Sequence, residues 1–241
     1  MQMQMTIELS GINLAIVNVL IFTTISLITR INIKKLKNID IITYWWLTFT
    51  ILTGIWEAFF IGFYDNVNKY ANILIYTQEH VWNTKYPLNY LSPDKFSFIY
   101  YSEYAAYADR EYLTLTNNWS KMIEGTHEWF CGLGAFLALL SFLSIKKVEM
   151  VYIENKKKDS HMIYYDNKYY YLFLGLSMGS QLLNSVLYMS QYFIQTDEFY
   201  NPNYNSSSFP TGQYLIKRPF MYVNIFWTIM PLYILITQIR N

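Results

Sequence analysis

The chain has 241 residues, of which 53% are hydrophobic and 20% aromatic but only 15% charged, with a net charge of +1. That near-neutral balance excludes a nucleic-acid binder recognised by basic charge, and the apolar content excludes a disordered chain. The single cysteine, Cys131, excludes an internal disulfide framework and a zinc site built on cysteines.

The apolar residues gather in long runs between polar stretches, which is the pattern of an integral membrane protein. A hydrocarbon core of about 30 Å takes roughly 20 helical residues to cross. The first run, Gly11 to Thr29, has no basic region before it and no small-residue cleavage site after it, so it reads as a retained anchor. A basic connection carrying Arg30, Lys34, Lys35 and Lys37 follows. The second run, Ile42 to Phe63, holds a single carboxylate, Glu57, with Thr53 four residues earlier on the same helical face. The segment from Tyr64 to Lys121 is too long for a plain turn, and its "YYSEYAAYADREYL" stretch is predicted to be an amphipathic helix on the membrane surface.

The third run, Met122 to Ile145, begins with Glu124, followed one turn later on the same side by His127 and Glu128. A second basic connection, with Lys146, Lys147, Lys156, Lys157, Lys158 and Lys168, leads to the fourth run, Tyr170 to Ile194, which contributes Gln181, Asn184, Ser185 and Tyr188. A turn-rich linker, "TDEFYNPNYNSSSFPTGQ", precedes the fifth run, Phe220 to Ile239, with Asn224 and Trp227 three apart and Pro231 a turn further on. The expectation is an all-α, polytopic membrane protein. Residues 1–41 form an anchor and a cytoplasmic loop, and residues 42–241 form a four-helix domain. The Lys and Arg asymmetry puts both basic connections in the cytoplasm, the N-terminus in the lumen and the C-terminus in the cytoplasm. Asn118 and Asn205 then stand in N-glycosylation patterns on the lumenal side.

A buried carboxylate or imidazole costs about 2 to 3 kcal/mol even on lenient insertion scales, so the polar turns of the last four runs are expected to face one another across a polar pocket. Composition alone leaves two uses for it, contacts that hold the bundle together or a site for a mostly apolar ligand with a polar or cationic feature. Two carboxylates sharing a low dielectric cannot both ionise easily and can act as acid and base. An indole such as Trp227 gains about 2 kcal/mol or more from a desolvated cation over its face. His127 is not expected to bind a metal, because His80 and His161 lie in loops on opposite predicted sides of the membrane.

The order of these polar turns resembles the emopamil-binding protein family of EXPERA-domain proteins, over about Ile42 to Arg240. The resemblance is carried by "GIWEAFFIGFYDN", by "EYAAYADREYL" with "NNWSKMIEGT", by "SQLLNSVLY" and by "NIFWTIMP". Glu57 and Glu124 match that family's two membrane glutamates, and Asn224 and Trp227 match its pocket asparagine and tryptophan. Two positions depart from the pattern: Thr53 stands where the family has a histidine, and His127 where it has a threonine.

The resemblance implies a sterol delta-8 to delta-7 isomerase of the endoplasmic reticulum membrane. Such an enzyme protonates the ring double bond at carbon 9, holds a cation at carbon 8 and removes a proton from carbon 7, with no cofactor and no metal. Glu57, Glu124 and His127 would be catalytic, and Thr53, Gln181, Asn184, Tyr188, Asn224 and Trp227 would bind substrate. Cationic amphiphilic amines would be inhibitors, membrane lipids would be neighbours, no nucleic acid is a partner, and homodimerisation is left open. The alternative implied by related EXPERA proteins, such as the sigma-two receptor, is sterol or amine binding without turnover.

Overall fold

The computed structural model describes residues 7–77, 84–108, 118–144, 147–151, 161–165, 168–194 and 219–240. The described chain is mostly helical. Helices α1 (Gly11–Asn32), α2 (Ile41–Thr77), α3 (Pro93–Glu103), α4 (Asn118–Ser144), α5 (Lys168–Ile194) and α6 (Pro219–Arg240) are joined by short helical turns, with two small antiparallel ladders between them. Strand β1 (Glu8–Ser10) pairs with β2 (Lys85–Pro87), and β3 (Lys147–Val151) pairs with β4 (His161–Tyr165). Four helices, α1, α2, α4 and α5, are long and apolar enough to cross a membrane, while α6 contributes a shorter apolar stretch, Tyr222–Gln238.

Helix α1 starts at Ser10, whose side chain accepts the Asn13 N–H at 3.4 Å, and ends with Arg30 in its last turn, where a cation complements the helix dipole. Only Gly11, Leu14 and Ser26 are buried along it, and Ile21, Ile25 and Ile28 are exposed. An apolar surface of this extent is a liability in water and an ordinary surface in lipid. Hydrogen bonds fix α1 to α2 instead of a wide apolar seam. Ser26 and Thr48 hydroxyls meet at 2.9 Å, the Tyr44 hydroxyl donates to the Ser26 carbonyl at 3.0 Å, and the Trp45 indole donates to Thr23 Oγ1 at 3.1 Å.

Helix α2 runs well beyond the predicted end of the second span. Its extension is too polar for a hydropathy reading, yet Val67, Ala71 and Leu74 recur at i, i+4 and i+7 and are buried in the cluster that includes Phe96 and Ile99 of α3. The stretch expected as a membrane-surface helix also differs. The helix begins earlier, at Pro93, where a missing N–H costs nothing, and it buries Phe96, Ser97, Ile99, Tyr101, Ser102 and Glu103 within the fold. Ser97 donates to the Trp56 carbonyl at 2.6 Å, which sets α3 against the middle of α2. A π-helical turn, Tyr104–Ala108, continues it, and residues 109–117 lie outside the described residues.

The helices of the bundle approach most closely at small residues. A Cβ on Gly54 would stand 3.0 Å from both the Gly132 Cα and the Glu128 carbonyl, and a Cβ on Gly132 would stand 3.0 Å from the Gly54 Cα and the Thr50 carbonyl. Each glycine therefore admits the other helix's backbone, so that α2 and α4 cross with no side chain between them. On the other side of α4, Gly134 faces Ser177 of α5, whose hydroxyl donates to the Cys131 carbonyl at 2.7 Å. These close crossings bring polar side chains of separate helices within reach of one another.

Candidate functional site

The α2–α4 crossing places Thr53 beside Glu128, with the Thr53 hydroxyl donating to Glu128 Oε1 at 2.5 Å. Gln181, from α5, approaches both carboxylate oxygens with its amide nitrogen, at 3.2 and 3.3 Å. That amide cannot turn over freely. The Trp46 indole, which only donates, occupies Gln181 Oε1 at 2.8 Å and leaves the NH2 group to face Glu128. The Trp227 indole, from α6, is a longer donor to Glu128 Oε2 at 3.5 Å. Three helices thus aim donors at one buried carboxyl, a shell suited to a carboxylate, whose oxygens only accept.

His127 precedes Glu128 on α4. Its Nε2 is 3.8 Å from Glu128 Oε2, and its Nδ1 faces the Asn184 amide nitrogen at 3.2 Å. With the amide N–H donating to Nδ1, the ring proton sits on Nε2 and points toward the carboxylate.

These groups border a cavity of about 460 Å³, within the range of ligand pockets. Its polar wall is formed by Thr53 and Glu57 of α2, His127 and Glu128 of α4, and Asn184 and Asn224 of α5 and α6. Aromatic rings form much of the rest, including Phe49, Trp56, Tyr100, Tyr188 and Trp227. Ile16 and Leu20 of α1 and Val223 of α6 line it and are also exposed outside, so its mouth lies between those helices. Glu57 and Glu128 are each only 5% exposed, so two buried carboxyl groups stand in the wall of this cavity. The Tyr101 hydroxyl hydrogen-bonds Glu57, and burial, with the charges of Glu57 and Glu128 adding to it, holds that phenol well above its ordinary pKa. Tyr101 therefore remains a donor. The Trp56 indole N–H also borders the cavity, buried and with no partner among the described residues.

Of the residues singled out from sequence, Thr53, Glu57, His127, Asn184, Tyr188, Asn224 and Trp227 border this one cavity. Gln181 does not. It is fully buried behind Glu128 and acts on the cavity only by holding that carboxylate. Glu124 lies on α4, one turn before Glu128, and its side chain is outside the described residues, as are those of Asn118, His80 and Asn205. Among the described residues, the carboxylate that α4 brings to the cavity is Glu128, which the sequence places in the polar turn expected to face the pocket but to which the resemblance assigns no catalytic role. A signal for it is present. Glu128, Cys131, Gly132 and Ala135 recur at helical spacing and are buried, while Trp129, Phe130, Leu133 and Phe136 are exposed. Trp56, Tyr100 and Tyr101 also join the wall unexpectedly, because a helix lying on the membrane surface would not reach the bundle as α3 does.

His127, Glu128 and Cys131 form a group with metal-ligating atoms within 4.8 Å of one another, a cluster not expected from sequence because the other histidines are remote. Compared with protein-family models, with curated proteins and with solved structures, the chain matches none of them.

Proposed function

We propose that this chain is a membrane-embedded isomerase that moves a carbon–carbon double bond in a sterol by protonation and deprotonation, with Glu57 and Glu128 as the exchanging carboxyls. The observation that carries this reading is that two buried carboxyl groups from different helices border one largely aromatic cavity. An apolar polycycle fits such walls, and a carbocation formed within it would meet a carboxylate and the Trp227 ring. Glu128, supplied with donors by Thr53, Gln181 and Trp227, suits the ionised partner, which leaves Glu57 as the proton carrier of this reading. No redox step is involved, since the double bond only changes place.

The reading includes five membrane crossings, with α6 as the fifth, a lumenal N-terminus and residence in the endoplasmic reticulum membrane. The support is the apolar character of α6 and the placement of Lys and Arg in the connections. The mouth between α1 and α6 would then open sideways toward lipid, the phase in which a sterol resides.

A second reading, sterol or amine binding without turnover, is favoured by Thr53. A hydroxyl that donates to Glu128 stands where the family it resembles has an imidazole, which removes one proton carrier. Expression in a yeast strain lacking delta-8 to delta-7 sterol isomerase separates the two. Restored delta-7 sterols support the enzyme; a well-expressed chain that binds sterol and leaves delta-8 sterols accumulating supports the binder.

A further inference from the structure

His127 and Cys131 are four residues apart on α4 and Glu128 is three before Cys131, so the three side chains lie on one helical face. An imidazole nitrogen, a carboxylate oxygen and a thiol sulfur from these residues all lie within 4.8 Å of one another. We propose that they form a three-ligand site for a zinc-type divalent cation, whose fourth position opens to the cavity that His127 and Glu128 border. The inference does not rest on sterol turnover, and an ion on Glu128 would occupy the carboxylate that the isomerase reading uses, so the two states exclude one another.

Three observations support it. The first is spacing. Zinc ligands at about 2.0 to 2.3 Å from the ion stand roughly 3.3 to 3.7 Å apart in a tetrahedron, so the 3.8 Å between His127 Nε2 and Glu128 Oε2 needs a small closure, and the 4.8 Å that bounds the group needs side-chain movement of about 1 Å. The second is charge. A divalent ion with one thiolate, one carboxylate and a neutral imidazole sums to zero, a total that buried, largely apolar surroundings tolerate well. The third is the surrounding shell. Nε2 of His127 is buried with no hydrogen-bond partner among the described residues, while Thr53 and Gln181 already hold Glu128 in the manner of donors around a ligating carboxylate.

Binding through Nε2 moves the ring proton to Nδ1, and a half-turn of the Asn184 amide then offers its oxygen as acceptor. As the sulfur–metal bond forms the Cys131 S–H bond breaks and its proton passes to the bulk water that delivers the ion, and nothing is oxidised or reduced. Three protein ligands with one open position is the arrangement of zinc sites that exchange their fourth ligand.

Cobalt(II) provides a direct test, because Cys131 is the only cysteine in the chain and any thiolate-to-cobalt charge-transfer band must come from it. The full chain, purified in detergent and stripped with chelator, is titrated with cobalt alone. The expected result is a near-ultraviolet charge-transfer band that saturates at one equivalent, is abolished by zinc, is absent in Cys131→Ser and is at least tenfold weaker in affinity in His127→Ala. Absence of the band from folded wild-type protein in a large excess of cobalt would overturn the proposal. So would a band whose affinity is the same in His127→Ala, since that would mean a thiolate site without the imidazole.

Discussion

The hydroxyl of Thr53 lies 2.5 Å from Glu128 Oε1, across the point where Gly54 and Gly132 let α2 and α4 touch. The contact is short because backbone geometry, not side-chain reach, brings the two helices together. Replacing Thr53 with Val keeps the volume and removes the donor. Hydrogen bonds between membrane helices contribute about 0.5 to 2 kcal/mol, so Thr53→Val is expected to lower stability by an amount in that range. Thermal unfolding in a fixed detergent measures it, and an unchanged midpoint would mean that the donor is dispensable.

Gly54 and Gly132 should be the least replaceable small residues of the bundle. A Cβ on either would meet opposing backbone at 3.0 Å, which cannot rotate away as a flexible side chain can. Overpacking of this kind costs about 1 to 3 kcal/mol, so Gly54→Ala and Gly132→Ala are each expected to fall in that range or above. At Gly62, also on α2, an added Cβ would meet nothing within 4 Å, so Gly62→Ala should be neutral or stabilising by about 0.5 to 1 kcal/mol. Equal effects at all three positions in unfolding experiments would contradict the close crossing.

Glu103 governs a separate, pH-dependent contribution. Burial pushes its carboxyl up to about 8, against which the hydrogen bond donated by Tyr86 at 2.7 Å pulls downward. The side chain also fills the space beside Gly11, at the start of α1. A folded-state value raised above the ordinary 4.5 means that the folded chain holds a proton that the unfolded chain has released. Its contribution is therefore lost as pH rises from about 4.5 to about 8 and changes little above that. Glu103→Gln should flatten this part of the stability profile and leave the variant relatively more stable at pH 8 than at pH 5. Parallel profiles for wild type and variant would contradict the assignment.

Trp227 should separate charged from uncharged ligands. Its ring packs edgewise on Trp46 and Phe49, with centroids 5.0 and 5.4 Å away, and its indole N–H approaches Glu128. A protonated amine in the cavity would gain from both the ring and the carboxylate. Trp227→Ala is expected to weaken a cationic amphiphilic amine about tenfold or more, against a smaller loss for an uncharged sterol of similar shape. Competition binding with both ligands measures the ratio, and equal losses would remove the cation argument.

The long helices are legible in the sequence because hydropathy over some twenty residues is a strong signal, and α1, α2, α4, α5 and α6 each contain one of the apolar runs. The polar turns are legible because a carboxylate in such a run stands out. What is not legible depends on contacts between distant segments. Helix α2 continues past Phe63 because Val67, Ala71 and Leu74 bury against α3, a pairing that mean hydropathy cannot register. That Glu128 reaches the cavity depends on which turn of α4 faces Gly54, a feature of packing that the family resemblance, which points to Glu124, does not carry. Gln181 is visible as a polar residue, but its place behind Glu128 follows from the Trp46 indole on α2, far away in sequence.

The most direct measurement is conversion of a delta-8 sterol by purified protein in proteoliposomes, with wild type beside Glu57→Gln, Glu128→Gln and Glu124→Gln, each checked for folding and sterol binding. The account predicts delta-7 product from wild type, no more than about a hundredth of that rate from Glu57→Gln or Glu128→Gln, the loss expected when a general acid or base is removed, and retained sterol binding in both. Glu124→Gln, run beside them, reports whether this carboxyl one turn before Glu128 shares the proton work. A folded, sterol-binding wild type that forms no delta-7 product, or a Glu128→Gln variant as active as wild type, would contradict it.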